Sequence, residues 1–136
     1  MAGIGSFGAK AMLDFVLGGA SATAPASRLV GLTYGTPNST SAGAGMEHSS
    51  NLGYLRQTGL FGAAGSPAAA ASASNTASII FGPFSSSSAI QGAFITDTIS
   101  INSGNIWWFG TLLTARTVLP GDTLVINPGS LLCTLG

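Results

Sequence analysis

From Ser27 onward the sequence is cut at short intervals by turn-forming residues, and this spacing constrains the fold more than any other feature. Between the cuts stand segments rich in β-branched and aromatic residues: SRLVGLTY (27–34), GYLRQTGLF (53–61), TASIIFGPF (76–84), AIQGAFITDT (89–98) and NIWWFGTLLTART (105–117). Such residues suit a pleated, half-buried surface. The stretch LPGDTLVINPGSLLCTL (119–135) holds two turn signals, Pro120-Gly121-Asp122 and Asn127-Pro128-Gly129. Each is flanked by a short strand, which predicts a hairpin-like terminal unit. GTPNSTSAGAGMEHSSN (35–51) reads as a long polar loop. The tract 63–75 has too little apolar bulk for a core, and its Ser, Gly and Pro residues disfavour a helix.

The pattern predicts a mainly β fold, an antiparallel β-sandwich or jelly roll over residues 27–136. An arm and one short helix precede it in residues 1–26. Ser6 is placed to cap that helix, which runs over 6–17 until Gly18-Gly19 stop it. Ala9, Met12, Leu13, Val16 and Leu17 form an apolar stripe at helical spacing. The stripe is expected to lie on the chain's own sheet or to dock on a neighbouring subunit.

Charge narrows the role of this fold. Only 6% of residues are charged, and the formal net charge is zero, against roughly 25% charged residues in an average soluble domain. A free monomer is normally kept apart from its neighbours by surface charge. A chain without it is expected to work inside an assembly. Its bases, Lys10, Arg28, Arg56 and Arg116, are too few and scattered for a nucleic-acid surface. Lys10 alone does not make a membrane-binding helix face. Residues 11–24 imitate a secretory signal, but Asp14 interrupts their apolar run, which is also too short to span a bilayer. Cys133 is the single cysteine, so no intrachain disulfide is possible.

Motifs with chemistry are weak. Gly3, Gly5 and Gly8 spell G-x-G-x-x-G. A dinucleotide site needs a strand before that motif and an acidic residue about 20 positions beyond it, and neither is expected here. The plainer expectation is an extended arm leading to the helix. Four isolated acids, one His and one Cys give no metal-ligand cluster. Glu47 and His48 are adjacent in the polar loop and read as a surface pair in water. No G-x-S-x-G elbow occurs, so neither a catalytic constellation nor a cofactor is expected. Cys133 reads as a small buried hydrophobe.

Strand alternation puts Trp107 and Phe109 on one face and Trp108 on the other. Trp108 could contact a partner or stack on a sugar. Arg56 and Arg116 are rare charges within strand-like segments. Each is expected either to pair with an acid or backbone carbonyls at a subunit contact, or to face water.

Taken in order, MLDFVLGG, LVGLTYGTP, GYLRQ, SNTASIIF and WWFGTLLTARTVLPGDTLVINPGSLLCTLG resemble a family of small tailed-bacteriophage structural proteins, over roughly residues 11–136. Members of that family are described as tail-fibre proteins, and some similar small β-proteins serve as capsid cement or decoration proteins. Two loops depart from the family pattern: the one before GYLRQ is longer and less acidic, and TDTISINSGN replaces a short acidic turn. The resemblance implies a virion structural role without catalytic residues. The first expectation is a cement protein on the capsid outer surface, bound to the major capsid protein and self-associated as a dimer or trimer. A tail or tail-fibre component is the alternative, and a carbohydrate-binding module a distant third. Phe7, Met12, Leu13, Val16, Leu17, Arg56, Trp108 and Arg116 are the candidate interaction residues. The tract AAGSP…SNTA is a further candidate contact segment.

Overall fold

A computed structural model describes residues 3–21, 23–40, 47–48, 53–65 and 71–135. It is mainly β, with antiparallel sheets and one helix. The elements in chain order are β1 (Gly3–Ile4), α1 (Ser6–Leu17), β2 (Leu29–Thr33), β3 (Gln57–Thr58), β4 (Ala71–Ser74), β5 (Ile79–Phe81), β6 (Ser88–Thr96), β7 (Ile106–Val118), β8 (Leu124–Ile126) and β9 (Leu132–Leu135).

A five-stranded sheet runs β1-β7-β6-β2-β3. β2 is buried along its whole length, which is why LVGLT reads as a continuous apolar run rather than an alternating one. Val30 and Leu32 pair with Ile95 and Ala93 and point into the core with Tyr54, Ile79, Phe81, Phe84, Ile90 and Val118. The opposite face carries a row across four strands: Gly3 beside Phe109, Phe109 beside Phe94, Phe94 beside Gly31. Each ring lies over the glycine next to it, so neither glycine has room for a Cβ.

The expected terminal hairpin does not form. β8 pairs with β5 and β9 pairs with β4, giving two collinear ladders of one interrupted ribbon. The reason is Asn75, which is buried at the interruption. Its side-chain amide donates to the carbonyls of Ala77 and Asn127 at 2.9 Å each, and its Oδ1 accepts from the Leu131 N–H at 2.9 Å. The Gly129 N–H donates to the Asn75 carbonyl at 2.7 Å. The Asn127-Pro128-Gly129 turn therefore wraps around Asn75 instead of folding β8 onto β9. The ribbon packs over the core face of the five-stranded sheet in a sandwich-like arrangement.

Other expectations shift as well. Only Gln57–Thr58 of the 53–61 segment is strand, because Tyr54 and Arg56 are engaged by side-chain bonds described below. Part of the 63–75 tract, for which no strand is expected from the sequence, is strand β4, half-buried against β9; residues 66–70 lie outside the described set. Cys133 is half-buried at the edge of the core rather than fully inside it.

The helix starts one residue earlier in its capping than expected. Gly5 is the N-cap and Ser6 is the first helical residue, with no side-chain cap bond. Gly18 closes the C-terminus in the left-handed conformation at φ 73°, its N–H donating to the Asp14 carbonyl. The Gly5 N–H donates to the Trp107 carbonyl at 2.8 Å. The glycine motif thus has a steric role. A Cβ on Gly3 would lie 2.7 Å from the Phe109 ring, and one on Gly8 would lie 2.9 Å from the Trp107 carbonyl oxygen. A Cβ on Gly5 would collide with the Ile106 carbonyl. The three glycines let the arm and helix sit directly on the β7 backbone.

Candidate interaction site

The helix faces the sheet with its small residues. Gly8 is its one buried residue, and Ala11 packs against the core. The apolar stripe therefore does not point where packing on the chain's own sheet requires. Met12 is half-buried, but Leu13, Val16 and Leu17 are exposed to 59%, 74% and 77%. Phe15 follows Gly8 and Ala11 at helical spacing, yet it is 69% exposed. Phe7 is partly exposed and meets Trp107 edge-to-face, with ring centroids 5.1 Å apart. Lys10 and Asp14 form an exposed pair one turn apart.

Met12 forms part of an apolar cavity of about 380 Å³, with Pro25, Phe61, Ile95, Trp107 and Trp108. Both tryptophans line it, contrary to simple alternation. Ile95 pairs with Trp108 while Thr96 pairs with Ile106, so Trp107 is an extra, bulged residue that turns inward. Phe109 stays on the other face, in the row with Phe94. The Trp108 indole N–H donates to the Thr134 carbonyl at 3.3 Å. Trp107 is buried and Trp108 half-buried, so neither offers an open aromatic platform for a sugar.

Arg116 is exposed on β7, opposite Ile90. It borders a cleft of about 650 Å³ between β7 and the β8–β9 segment. Nearby, Gly92 pairs with Thr111 while Ile90 pairs with Arg116, so residues 112–115 stand opposite Gln91 alone. Leu113 protrudes from that bulge, fully exposed at 101%. Nothing in the periodicity of the segment marked it, because strand alternation carries no sign of a multi-residue bulge.

Arg56 is not a surface residue. Its guanidinium is buried, donating to Glu47 from Nε (2.6 Å to Oε1) and Nη2 (2.7 Å to Oε2). Nη1 donates to the carbonyls of Thr98 (2.7 Å) and Ser103 (3.0 Å). The group also lies 5.2 Å from the Phe94 ring centroid. Glu47 accepts two more bonds, from the Tyr54 hydroxyl at 2.8 Å and the Asn102 N–H at 2.8 Å. Tyr54 in turn accepts from the Leu32 N–H at 2.9 Å. Burial, then the Glu47 charge, pushes the Tyr54 hydroxyl's pKa far up, so it stays a donor.

The expectation of an aqueous Glu47-His48 pair is therefore wrong: both residues are buried. Glu47 bridges to Thr33 of β2, and the His48 N–H donates to the Leu32 carbonyl at 3.2 Å. These bonds pull two polar residues of the loop against β2. Arg56 does pair with an acid and with backbone carbonyls, but within its own chain. A usable signal existed in the sequence: Tyr54 and Arg56 share one side at i, i+2, with a lone acid a short distance before them.

Among the described residues no group of three or more His, Cys, Asp and Glu side chains could hold a metal ion. No helix among them is long and apolar enough to cross a membrane, which leaves β-barrels unaddressed. Among the described residues, the features open to contact with other molecules include the outward helix stripe, the Leu113 bulge and the cleft beside Arg116. The chain matches no curated protein. The family model described as podophage GP4 fiber I protein gp80 matches it over residues 3–134. The chain belongs to that family of phage structural proteins, which gives it a virion structural role.

Proposed function

We propose that the protein is a structural subunit of a phage fibre, held to neighbouring virion proteins by apolar contacts rather than by charge. The observation that carries this reading is the family match over nearly the whole chain, whose description names a fibre protein. Neutral composition and the exposed side chains of Leu13, Val16, Leu17 and Leu113 support a role inside an assembly. Burying such side chains against a neighbour stabilises the contact by about 25 cal/mol per Å² before the cost of ordering is subtracted. Repetition along a fibre then strengthens modest individual contacts.

The capsid-cement reading, with the major capsid protein as partner, draws on the neutral composition and on the resemblance to small β-proteins that serve as capsid cement. A fibre location has the family description in its favour as well. A virion reconstruction with a copy count tests the choice. A few copies confined to an appendage agree with the proposal. Hundreds of copies spread over the shell overturn it in favour of cement.

A further inference from the structure

The outward stripe of α1 has a second property: it is complementary to itself. Ala9, Leu13, Val16 and Leu17 stand at i, i+4, i+7 and i+8; Leu13 and Leu17 are turned away from buried Gly8, while Val16 and half-buried Ala9 lie on the side of the helix. Leu13, Val16 and Leu17 are 59%, 74% and 77% exposed. That is roughly 400 Å² of apolar surface in three side chains, as large as the biggest patch an ordinary monomer carries. None of these side chains is charged, so the stripe has nothing to recognise a charged partner with.

We propose that this stripe pairs with the same stripe of a second copy, the two α1 helices packing antiparallel about a two-fold axis near Leu13. The inference rests on the fibre reading in taking the neighbour to be another copy of this chain. An antiparallel pairing centred there sets Leu13 against itself and places small Ala9 opposite large Leu17 of the second copy. Large residues then meet small ones at both ends, which permits close helix packing. Charge selects the same orientation. Lys10 and Asp14 lie along one flank of the stripe and are paired within the helix. Antiparallel packing keeps this flank on one edge of the pair and brings Lys10 of one copy toward Asp14 of the other, whereas parallel two-fold packing places the two flanks on opposite edges, out of reach of each other. Over both copies the three side chains bring roughly 800 Å² of apolar surface to the contact, the size of a weak, reversible association.

Sedimentation of the purified full chain tests this. The wild type is expected to associate reversibly to a dimer. Leu13→Asp/Leu17→Asp is expected to weaken that association by at least about tenfold. Both sites are solvent-exposed, and an unchanged circular dichroism spectrum confirms that the variant is folded. Lys10→Asp and Asp14→Lys are each expected to dimerise less well alone, and their mixture to recover the dimer as a heterodimer. An ion pair confined to one helix cannot produce that recovery.

A wild type that stays monomeric at its highest soluble concentration overturns the proposal. So does an oligomer unaffected by the Leu13/Leu17 variant. Loss of virion incorporation in that variant, with the solution oligomer unchanged, assigns the stripe to a different virion protein and also overturns it. Failure of a mixture of the charge variants to recover the dimer overturns the antiparallel arrangement. The fibre reading fails separately, by the location of the chain in the virion.

Discussion

Arg56 and Glu47 form a two-pronged ion pair with both side chains fully shielded from solvent, Nε lying 2.6 Å from Oε1 and Nη2 2.7 Å from Oε2. Taking both charges out of water costs several kcal/mol per ion, and Coulomb attraction alone does not reliably offset it. Here every Glu47 oxygen accepts two hydrogen bonds, and the third guanidinium nitrogen reaches two carbonyls. The pair ties Glu47, the Tyr54–Arg56 segment and the 98–103 loop to β2.

Truncating one partner leaves the other charge buried and alone. Arg56→Ala is expected to lower unfolding stability by about 3–5 kcal/mol. Arg56→Lys is expected to lower it as well, because an ammonium cannot make the parallel bonds to both Glu47 oxygens. Urea denaturation of the folded chain measures both. A lysine variant as stable as the wild type would show that the two-pronged geometry contributes nothing.

Glycine replacements should separate steric need from backbone conformation. A Cβ at Gly5 collides with the Ile106 carbonyl, whereas one at Gly18 has nothing within 4 Å and meets only the penalty of φ 73°. Gly18→Ala is expected to cost about 1 kcal/mol. Gly5→Ala is expected to cost more, up to about 3 kcal/mol, since the arm must lift from β7. Thermal unfolding of the two variants side by side checks the order. Equal losses would mean that the arm is not held against β7.

The thiol offers a chemical check on the ribbon. Burial pushes the Cys133 pKa up to about 11 from its ordinary 9.0. The thiolate is the reactive form, so at neutral pH the native protein should react with disulfide reagents far more slowly than the unfolded chain. Reaction at the unfolded rate without denaturant would show that β9 leaves the core readily.

What could be read from the sequence was local. β6 and β7 were legible because their apolar and aromatic residues are contiguous. The pairing of β8 and β9 was not, because their partners β5 and β4 stand far earlier in the chain and Asn75 decides the geometry between them. The apolar stripe of α1 was visible, but periodicity marks the apolar side of a helix, not the buried one. Close contact with the β7 backbone selected the side with Gly8 and Ala11 instead. For Arg56 the need for a partner was legible. Its partner was hidden, since a Glu in a Ser- and Gly-rich stretch reads as solvated. The Trp107 bulge, which turns both tryptophans inward, leaves no trace in a pattern of alternation.

The same buried cluster gives the chain a pH dependence. Burial lowers the His48 pKa below its ordinary 6.5, against smaller opposing effects from a backbone bond at Ala89 and the Glu47 charge. The neutral ring packs edge-on against Tyr34 and Tyr54, with Ser88 Oγ 3.2 Å from Nδ1. Between the folded pKa and 6.5 the unfolded chain binds more protons than the folded one, so stability rises with pH across that window. The contribution is complete above 6.5 and is lost as pH falls toward the folded value. Urea midpoints at a series of pH values should therefore decline on acidification from neutrality. His48→Phe keeps an aromatic ring at the site and removes the titration, so its midpoint should stay level over the same range even if its absolute stability differs. Asp97, whose burial is outweighed by bonds from the Asn105 backbone and side chain, is held below its ordinary 3.8 and weakens the fold only at still lower pH. A decline of equal slope in His48→Phe would place the pH dependence on another group.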